Sequence, residues 1–490
     1  MEFDVAVIGC GVSGANIARR LSAYSIKTVI LEKAADVSFG TSKANSGIIH
    51  GGFHHNKKYL KARLEIQGSM MFDQLRRELN FPFKRCGIIV AALHEEEMKV
   101  IEHLYMQGVE NDSLGIELCS RQRILELEPK LSADTVGGLY APGGGIIEPY
   151  RFVFALVESA QKNGVRLLTN FKVSEARRIN DYWIIRSFTD GAAEESSGIC
   201  AEIKARYVIN AAGLFADEVS KIFGAEDFTI SARKGEYFLL DRLTKACPSR
   251  VVFPVPAGVS KGMLVIPTVE GTVLVGPTAD AAEEKRDFST TAKHLDQILV
   301  SGKTMIPSLS QNDVITAFAG LRPCLGDDFY IEASEKAPSF VQVAGIQSPG
   351  LTASPAIGEY VKNILLKMGL QLTEKPDWNP YVENHPCARE LNLNELDSLI
   401  AKDPTWGNVV CRCENVSEAE IVQAIKLGHT TLDGIKYFTR AQMGRCQGGF
   451  CAYKILKIIM RETGLSWDKV TKHGEKSHVL LGSAAPESVL

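Results

Sequence analysis

The first 32 residues of the chain carry a strand, a glycine-rich turn, a helix and a second strand in immediate succession. Residues 3–8 are apolar with one acidic interruption and rich in β-branched and small side chains, which predicts a buried parallel strand. Residues 9–14 then have the spacing G-x-G-x-x-G, and residues 15–22 have the spacing of a helix that faces a sheet. Residues 27–31 predict the next strand, which ends at Glu32. The order predicts a dinucleotide-binding β-α-β unit.

Each residue of the glycine turn has a physical task in such a unit. Gly9 permits the tight turn, Gly11 lets the backbone approach a pyrophosphate, and Gly14 lets the helix pack closely on the strand. The helix that starts beside Ser13 directs its positive end towards the phosphates. Glu32 is placed to accept hydrogen bonds from the adenosine ribose and disfavours a 2′-phosphate. This unit alone leaves FAD and NAD as alternatives.

A loop of small and hydroxyl-bearing residues follows at positions 40–52, GTSKANSGIIHGG. Such a loop can bring backbone N–H groups and polar side chains close to a large planar ring and its phosphates. The polar candidates are Thr41, Ser42, Asn45 and Ser46. His50 is a candidate proton acceptor at neutral pH, and the alternative is a structural hydrogen-bonding role.

Length and charge limit the remaining possibilities. With 490 residues, the chain is expected to form two to four domains, or one large α/β unit with a small appendage. The net charge of -3 favours neither nucleic acid nor a polybasic membrane patch as a partner. No apolar stretch reaches the length of a transmembrane helix and no secretion signal is found, so we expect a cytoplasmic protein whose only membrane contact is peripheral, at the inner face.

Four of the eleven cysteines form two close pairs near the C-terminus. In a reducing compartment such a cluster indicates metal or redox chemistry more often than disulfides. Between the pairs, residues 417–428 predict a helix with Ser417 as N-cap and Glu420 completing a capping box. Zinc and an iron-sulfur cluster both accept four thiolates, so both remain open for this site. The expected ligands are Cys411, Cys413, Cys446 and Cys451.

Four motifs in fixed order give the chain a family resemblance. They are the glycine fingerprint with Glu32, the TSKANSGIIHGG loop, VINAAG at 208–213 and GIQSPGLT at 345–352. In these motifs the chain resembles the D-amino-acid-oxidase-like flavoprotein superfamily, and within it the FAD-dependent glycerol-3-phosphate dehydrogenases and oxidases, with L-2-hydroxyglutarate oxidases as near relatives. The resemblance favours FAD over NAD.

The resemblance implies an α/β fold in which a discontinuous Rossmann-like FAD domain receives an inserted substrate domain with a mixed or antiparallel sheet. The residues agree, because 149–161 predict a helix with proline at its start, 165–169 a strand, and 235–275 short strands broken by Gly and Pro. The implied FAD parts are about 1–80, 150–225 and 330–370, and the substrate parts about 81–149 and 226–329.

The last motif predicts a strand that ends near Ala344, a turn, and a helix that begins around Thr352. In the superfamily this helix end faces the flavin, where its positive charge would stabilise the anionic reduced ring. The residues implied in cofactor binding here and in the VINAAG motif are Gly213, Gly345, Gly350, Leu351 and Thr352.

The resemblance also assigns substrate roles by position. His50 matches a histidine beside the flavin that is a candidate base for the substrate hydroxyl. Arg322 matches a strand-end arginine that can grip a carboxylate or phosphate with two hydrogen bonds, and Lys261 matches a second cation. Ser348 adds a hydroxyl near the flavin, or stabilises its turn.

The C-terminal segments CRCENVSEAEI and TRAQMGRCQGGFC resemble the bacterioferritin-associated-ferredoxin-like [2Fe-2S] module. The resemblance implies a small helical domain over about 406–465, reached through a linker at 371–405 and followed by a tail at 466–490. It favours a [2Fe-2S] cluster, and zinc remains the alternative metal.

Together these features predict an FAD enzyme that oxidises sn-glycerol 3-phosphate to dihydroxyacetone phosphate and passes electrons through a [2Fe-2S] cluster to a protein or quinone. The alternative substrate is L-2-hydroxyglutarate or a related 2-hydroxy acid. The alternative of another class is a subunit that carries both cofactors and transfers electrons without a substrate of its own.

Overall fold

The computed structural model describes residues 1–188, 199–256 and 262–480, and these divide into two compact units. Unit 1 comprises Met1–Leu31 and Ser38–Val382, and unit 2 comprises Glu32–Val37 with the chain from Glu383 onwards. The helices are α1 Val12–Leu21, α2 Leu60–Leu79, α3 Met98–Glu110, α4 Arg121–Leu127, α5 Pro149–Lys162, α6 Ala216–Ile222, α7 Ala292–Met305, α8 Gly350–Lys367, α9 Leu393–Lys402, α10 Glu418–Lys426, α11 Leu432–Thr439 and α12 Ala452–Thr463.

The strands belong mostly to unit 1, and only the last two lie in unit 2. They are β1 Glu2–Ile8, β2 Thr28–Leu31, β3 Ile48–Ile49, β4 Phe83–Lys84, β5 Ile88–Ala92, β6 Glu117–Ser120, β7 Gly137–Ala141, β8 Gly145–Ile147, β9 Arg166–Leu168, β10 Glu175–Ile179, β11 Tyr182–Phe188, β12 Ile199–Asn210, β13 Ser231–Leu240, β14 Val251–Pro254, β15 Leu264–Pro267, β16 Val273–Gly276, β17 Asp280–Ala282, β18 Val314–Cys324, β19 Tyr330–Ala333, β20 Phe340–Ala344, β21 Val409–Cys411 and β22 Val416–Ser417.

The first sheet of unit 1 has a parallel centre in the order β20-β12-β1-β2-β9. The strands β10, β11 and β19 extend it in antiparallel pairings. The four residues of β2 are all buried, as expected for a central strand covered on both faces. Helix α1 packs against α5 and α8, and α2 packs against α8. The carboxyl ends of β1 and β2 therefore open towards the glycine turn that starts α1.

The second sheet of unit 1 follows the order β17-β13-β16-β15-β14-β5-β7-β6, and β18 adds to β13. Its pairings are antiparallel except that of β14 with β5. Two apolar clusters lie against it, one of them around Ile89, Val265 and Ile298 and the other around Phe53, Ile88 and Phe253. A small third sheet has the order β3-β8-β4. In the sequence, β3 and β4 come before β5 of the second sheet, and β8 comes after β7.

Unit 2 contains helices α9 to α12 and the antiparallel pair of β21 with β22. Helix α10 starts at a capping box, in which Ser417 Oγ accepts from the Glu420 N–H and a Glu420 carboxylate oxygen accepts from the Ser417 N–H at 2.8 Å. Helix α12 buries one face and ends at Gly464 in the left-handed conformation. The core of unit 2 is formed by Val410, Val416, Ile421, Ile435, Phe438, Ile455 and Ile459.

The predicted α/β fold class is confirmed, with two large sheets and one small sheet in the described residues of unit 1 and a small helical C-terminal unit. The predicted elements at 3–8, 149–161 and 417–428 are found as β1, α5 and α10. One strand is longer than predicted, because YFLL is the end of the ten-residue β13, whose polar half pairs with β18. A pattern search for apolar runs misses that half.

The predicted domain boundaries stay predictions. Residues 371–405, expected as a linker, include α9 and a 3-10 turn at Ala388–Glu390. Of the predicted tail, residues 481–490 lie outside the described residues, and residues 466–480 contain a 3-10 turn at Trp467–Lys469.

Candidate active site and cysteine centre

The glycine turn between β1 and α1 is closed by two contacts that only glycine allows. Gly9 has a φ of +96°, and a Cβ there would lie 2.5 Å from the Ala211 carbonyl oxygen. A Cβ on Gly14 would collide with the carbonyl of Gly9 itself. Helix α1 therefore lies directly on the end of β1, with its first N–H groups at the carboxyl edge of the sheet, as a pyrophosphate-binding turn requires.

Contacts around this turn fit an extended dinucleotide. The Val12 N–H, in the first turn of α1 beside Ser13, donates to Ser42 Oγ at 2.9 Å, so the 40–52 loop lies against the helix start. The side of Gly213 where a Cβ would project is open, with nothing within 4 Å. Glu32 follows β2, is buried, and accepts from the Ala34 N–H at 2.9 Å. Its contact with a ribose stays a prediction.

Three polar side chains of the loop bond within the loop or to the neighbouring strands. Asn45 donates from Nδ2 to the Ser42 carbonyl at 2.8 Å and accepts from the Gly47 N–H at 2.8 Å. Thr41 Oγ1 donates to the Leu321 carbonyl on β18 at 2.7 Å. Ser46 Oγ lies 2.9 Å from the hydroxyl of Tyr237 on β13. These bonds fix the shape of the loop against the second sheet.

His50 and Ser348 meet although 298 positions separate them. His50 is 8% exposed, and its Nε2 lies 3.3 Å from Ser348 Oγ. The His50 backbone N–H donates to Thr352 Oγ1 at 2.9 Å, and Thr352 is fully buried in the first turn of α8. The hydroxyl of Thr352 thus anchors the histidine loop to the helix start, which orients the imidazole.

The turn before α8 contains the other predicted residues of this motif. The helix starts at Gly350, two positions before the predicted start at Thr352, so Leu351 also lies in its first turn. Gly345 follows β20 with a φ of +65°, and a Cβ there would lie 2.8 Å from Leu325 Cβ. An 18-residue helix with its N-terminus at this place offers its partial positive charge to whatever lies above the turn.

Arg322 lies near the end of β18, close to where that strand meets the 40–52 loop. A Cβ on Gly320 would collide with the Ala44 carbonyl, so the loop and strand are in direct contact two residues from Arg322. Arg233 of β13 stands directly opposite Arg322 in the antiparallel pairing. Within residues 1–188, 199–256 and 262–480, neither guanidinium forms an ion pair with a carboxylate. Two like charges at facing positions are unfavourable unless an anion joins them. Lys261, the other predicted cation, lies outside the described residues.

Sequence reasoning did not find Arg233, Tyr237 and His54. The register of β13 with β18 places the first two, and that register is invisible in the sequence alone. Tyr237 stacks on Phe318 with ring centroids 4.9 Å apart. His54 lies edge-on to His50 with centroids 5.8 Å apart, and its position in HGGFHHN, four residues after His50, was the only available indication.

In unit 2 the four cysteines form two pairs of different exposure. Cys413 and Cys446 are exposed, with sulfur atoms 3.7 Å apart, whereas Cys411 and Cys451 are buried. A Cβ on Gly444 would collide with Cys413 Cβ, so only glycine lets the second segment approach the first. Within the described residues, no three His, Cys, Asp or Glu side chains surround one point that could hold a single metal ion.

In each cysteine pair the pKa of one thiol is lowered and that of the other is raised. A hydrogen bond from the Cys451 thiol lowers the pKa of Cys411 to about 6, and donating this bond raises the pKa of Cys451. The backbone N–H of Phe450 lowers the pKa of Cys446. A [2Fe-2S] cluster takes four thiolates over two irons and a tetrahedral zinc ion takes four thiolates at one metal, so the two pairs supply enough ligands for either.

Glu414, beside Cys413, is buried between two arginines of unit 2. Its carboxylate lies 3.1 Å from Arg440 Nε and 3.5 Å from Arg389 Nη1. Arg440 is itself in the left-handed conformation, as are Asn415, Gln442 and Gln447 around the cysteines. The ion pair therefore fixes the turns that carry the sulfur atoms.

None of the helices in the described parts of the chain combines the length and apolarity needed to cross a lipid bilayer.

Comparison with known proteins supplies two family matches. Residues 4–364 match the family model "FAD dependent oxidoreductase", and residues 409–461 match "BFD-like [2Fe-2S] binding domain". The two matches cover the residues of both sites.

Two relatives and one solved structure are similar to most of the chain. A protein named glycerol 3-phosphate dehydrogenase from Caloramator mitchellensis is 40% identical over 489 residues, which is 99% of both chains. A glycerol 3-phosphate oxidase from Mycoplasma pneumoniae is 33% identical over 383 residues, 77% of this chain and 97% of its own. The dithionite-reduced, FAD-bound structure of L-alpha-glycerophosphate oxidase from the same organism superposes with a TM-score of 0.73 at 32% identity, covering 79% of this chain and 99% of that one.

Proposed function

The chain belongs to the FAD dependent oxidoreductase family, and we propose that it oxidises sn-glycerol 3-phosphate to dihydroxyacetone phosphate. Its cofactors are FAD and a [2Fe-2S] cluster. The observation that carries the proposal is the meeting of His50, Ser348 and the start of α8, in a loop whose other end contacts β18, the strand of Arg322. That arrangement offers a base, a hydroxyl and an anion site together.

FAD, when bound, accepts the hydride that leaves C2 of the substrate. For that to happen the C2 hydroxyl must lose its proton, and a neutral imidazole suits this work at neutral pH. We assign the role to Nε2 of His50, which is almost completely buried and held in orientation through its backbone by Thr352. Ser348, 3.3 Å from that nitrogen, positions the ring and the incoming hydroxyl.

The phosphate of the substrate requires cations that are not neutralised by carboxylates. Arg322 can hold two phosphate oxygens at once, and Arg233, opposite it on β13, adds a second guanidinium to the same face of the sheet. Lys261 is proposed as a third cation from its position in the sequence. A dianionic phosphate relieves the repulsion between the two arginines, which an uncharged substrate cannot do.

Backbone groups and small residues are proposed to hold FAD. The N-terminus of α1 at the Gly9, Gly11 and Gly14 turn would take the pyrophosphate, and the N-terminus of α8 would stabilise negative charge on the ring system. The remaining proposed contacts come from Ser13, Glu32, Thr41, Ser42, Asn45, Ser46, Gly213, Gly345, Gly350, Leu351 and Thr352.

The [2Fe-2S] cluster, when bound by Cys411, Cys413, Cys446 and Cys451, releases electrons one at a time. We propose that electrons leave the protein by this path to a protein or quinone acceptor. The proposed location is cytoplasmic. If the acceptor is a quinone, which lies in the membrane, the protein would contact the inner face of the membrane peripherally.

Anaerobic titration of the holoenzyme tests the substrate. We expect sn-glycerol 3-phosphate to bleach the visible flavin band, and its enantiomer and glycerol to leave the band unchanged. Bleaching by L-2-hydroxyglutarate instead would contradict the substrate and favour a 2-hydroxy acid enzyme. A flavin band that neither compound changes would contradict an enzyme of either kind and favour an electron-transfer subunit.

A further inference from the structure

One surface of unit 2 combines the exposed cysteine pair with cations and aromatic rings. We call it the Phe450 surface, and it consists of Arg412, Phe450, Tyr453, Lys454 and Lys457. Phe450 is 45% exposed and Tyr453 is 64% exposed. Large aromatic rings with this exposure are unusual unless they belong to an interaction site. The backbone N–H of Phe450 bonds to the exposed Cys446, and Arg412 lies between Cys411 and Cys413 in the sequence, so the surface adjoins the exposed cysteine pair.

The cations of this surface are arranged around its rings. Arg412 lies 4.6 Å from the Phe450 ring centroid and Lys454 lies 4.8 Å from it, on opposite segments of the chain. Lys457 lies 4.7 Å from the ring of Tyr453. Cation–π contacts of this kind keep the charged groups at the rim of the rings, where they still face solvent.

Within the described parts of the chain, Arg412, Lys454 and Lys457 form no ion pair with a carboxylate. Residues 440–461 contain no Asp or Glu. The acidic residues that follow the CRC motif in the sequence form ion pairs outside this surface. Glu414 pairs with buried Arg440, and Glu418 pairs with Arg461. The side chains of the Phe450 surface are therefore cationic around an aromatic centre, next to the negative charge that a [2Fe-2S] cluster with four thiolates would carry.

We propose that the Phe450 surface docks an acidic electron-transfer protein, such as an acidic haem or flavin protein, which accepts electrons from the cluster. The inference rests on the proposed function and specifies its acceptor. Aromatic residues and arginine at the centre of a surface with charges at the rim are typical of protein interfaces, and opposite charge on the partner accelerates association. In each encounter one electron leaves the cluster and reduces the oxidised prosthetic group of the partner.

A protein fits this surface better than a lipid bilayer does. An interfacial helix inserts an apolar face between lipids, but the apolar face of α12, formed by Ile455, Ile458 and Ile459, is buried inside unit 2. What α12 exposes instead is Tyr453, Lys454 and Lys457, with Arg461 and Glu462 near its end. The exposed Cys413 and Cys446 also place the shortest electron path at this surface.

Binding to two haem proteins of opposite charge tests the proposal with the full-length holoenzyme. At low ionic strength we expect acidic cytochrome b5 to bind about 10-fold or more tightly than basic cytochrome c, and added salt to weaken that binding. The double variant Lys454→Glu/Lys457→Glu should lose this preference, and Lys454→Gln/Lys457→Gln should lose part of it. The matched control is Lys426→Glu/Lys469→Glu, which makes the same charge change at exposed lysines outside the Phe450 surface and should bind like the wild type.

A second measurement follows electrons that are loaded without substrate. Holoenzyme reduced with stoichiometric dithionite is mixed with oxidised cytochrome b5, and the haem spectrum should show reduction about 10-fold more slowly in the Lys454→Glu/Lys457→Glu variant than in the control. Because neither measurement uses glycerol 3-phosphate, failure here is distinct from failure of the proposed substrate. Equal binding of both cytochromes, or equal losses in variant and control, would overturn the proposal. The proposal would also be overturned if the Lys454→Glu/Lys457→Glu variant no longer sedimented with phosphatidylglycerol vesicles but still bound cytochrome b5 like the wild type.

Discussion

The two sites of the molecule are assembled in opposite ways. In unit 1, His50 meets Ser348 from the far end of the chain, and Arg322 meets Arg233 through the pairing of two strands. In unit 2, the four cysteines predicted as ligands all come from residues 411–451. The geometry of the first site is a property of the whole unit, whereas the geometry of the second is a property of a few turns.

The two sites also differ in the interactions that fix their geometry. The unit 1 site depends on long-range hydrogen bonds, such as that from the His50 N–H to Thr352. The cysteine segments depend on the left-handed residues Asn415, Arg440 and Gln447, each of which costs about 1–2 kcal/mol in an L-residue. Unit 2 therefore needs its ion pairs and its bound cluster to offset local strain.

The largest expected effect is the loss of the iron-sulfur cluster from unit 2 without the loss of FAD from unit 1. Cys446→Ser removes one of four thiolates, and we expect the holoenzyme to lose its iron-sulfur absorption while unit 1 keeps FAD. Iron analysis and the visible spectrum measure the loss, and bleaching of the flavin by substrate should persist. Cys247→Ser, at a cysteine of unit 1, is the control and should leave both spectra intact. Loss of FAD along with the cluster would show that the two sites are not separate.

The next effect lies in unit 1 alone. His50→Asn removes the proposed base, and we expect flavin bleaching by glycerol 3-phosphate to slow by about 10²–10⁴-fold with the cluster spectrum unchanged. Stopped-flow absorbance measures the rate. His103→Asn, at an exposed histidine on α3, should react like the wild type. If the rate of His50→Asn matches that control, His50 is not the base.

A smaller effect is expected in substrate binding. Arg322→Met should raise the half-saturating concentration of glycerol 3-phosphate by about 10- to 100-fold, since a hydrogen bond to a charged group contributes about 1.5–3 kcal/mol. Arg233→Met should act in the same direction, and Arg123→Met, at a surface pair with Glu117, should have no effect. Titration of the flavin band measures the change. A weaker effect at Arg322 than at Arg123 would remove Arg322 from the anion site.

The smallest expected effect is on stability, when the serine N-cap of one helix in each unit is removed. Ser417→Ala removes the N-cap of α10 in unit 2, and Ser120→Ala removes the N-cap of α4 in unit 1. Each should lower stability by about 1 kcal/mol. Thermal unfolding followed by cluster absorbance should respond only to Ser417→Ala, and flavin fluorescence only to Ser120→Ala. Equal responses in both probes would mean that the units unfold together.

The sequence predicted the local parts of both sites better than their assembly. Strand β1, the glycine turn and the capping box of α10 follow from spacing and residue type, which act over a few residues. The four cysteines were predicted as ligands because they form two close pairs in the sequence, and that role stays a prediction. The pairing of Arg233 with Arg322 and the contact of Tyr237 with Ser46 depend on strand register, which tertiary packing decides.

Loop polarity leaves two roles open for each side chain. Asn45 was predicted as a cofactor contact from its place in the small, hydroxyl-rich loop; its amide bonds to the Ser42 carbonyl and the Gly47 N–H, and the contact with the cofactor stays a prediction. Sequence alone cannot separate side chains that shape a loop from those that face its ligand, since both need the same donors and acceptors.

The unequal exposure of the two cysteine pairs has a consequence for damage and repair. An electron leaves most readily where the cluster is least covered, and oxidants reach the sulfur atoms at the same place. We therefore expect peroxide to modify Cys413 and Cys446 before Cys411 and Cys451, which mass spectrometry of the metal-free protein would show. With the buried pair intact, such a protein retains half of its ligands, and reduction of the exposed pair would restore the site for a new cluster.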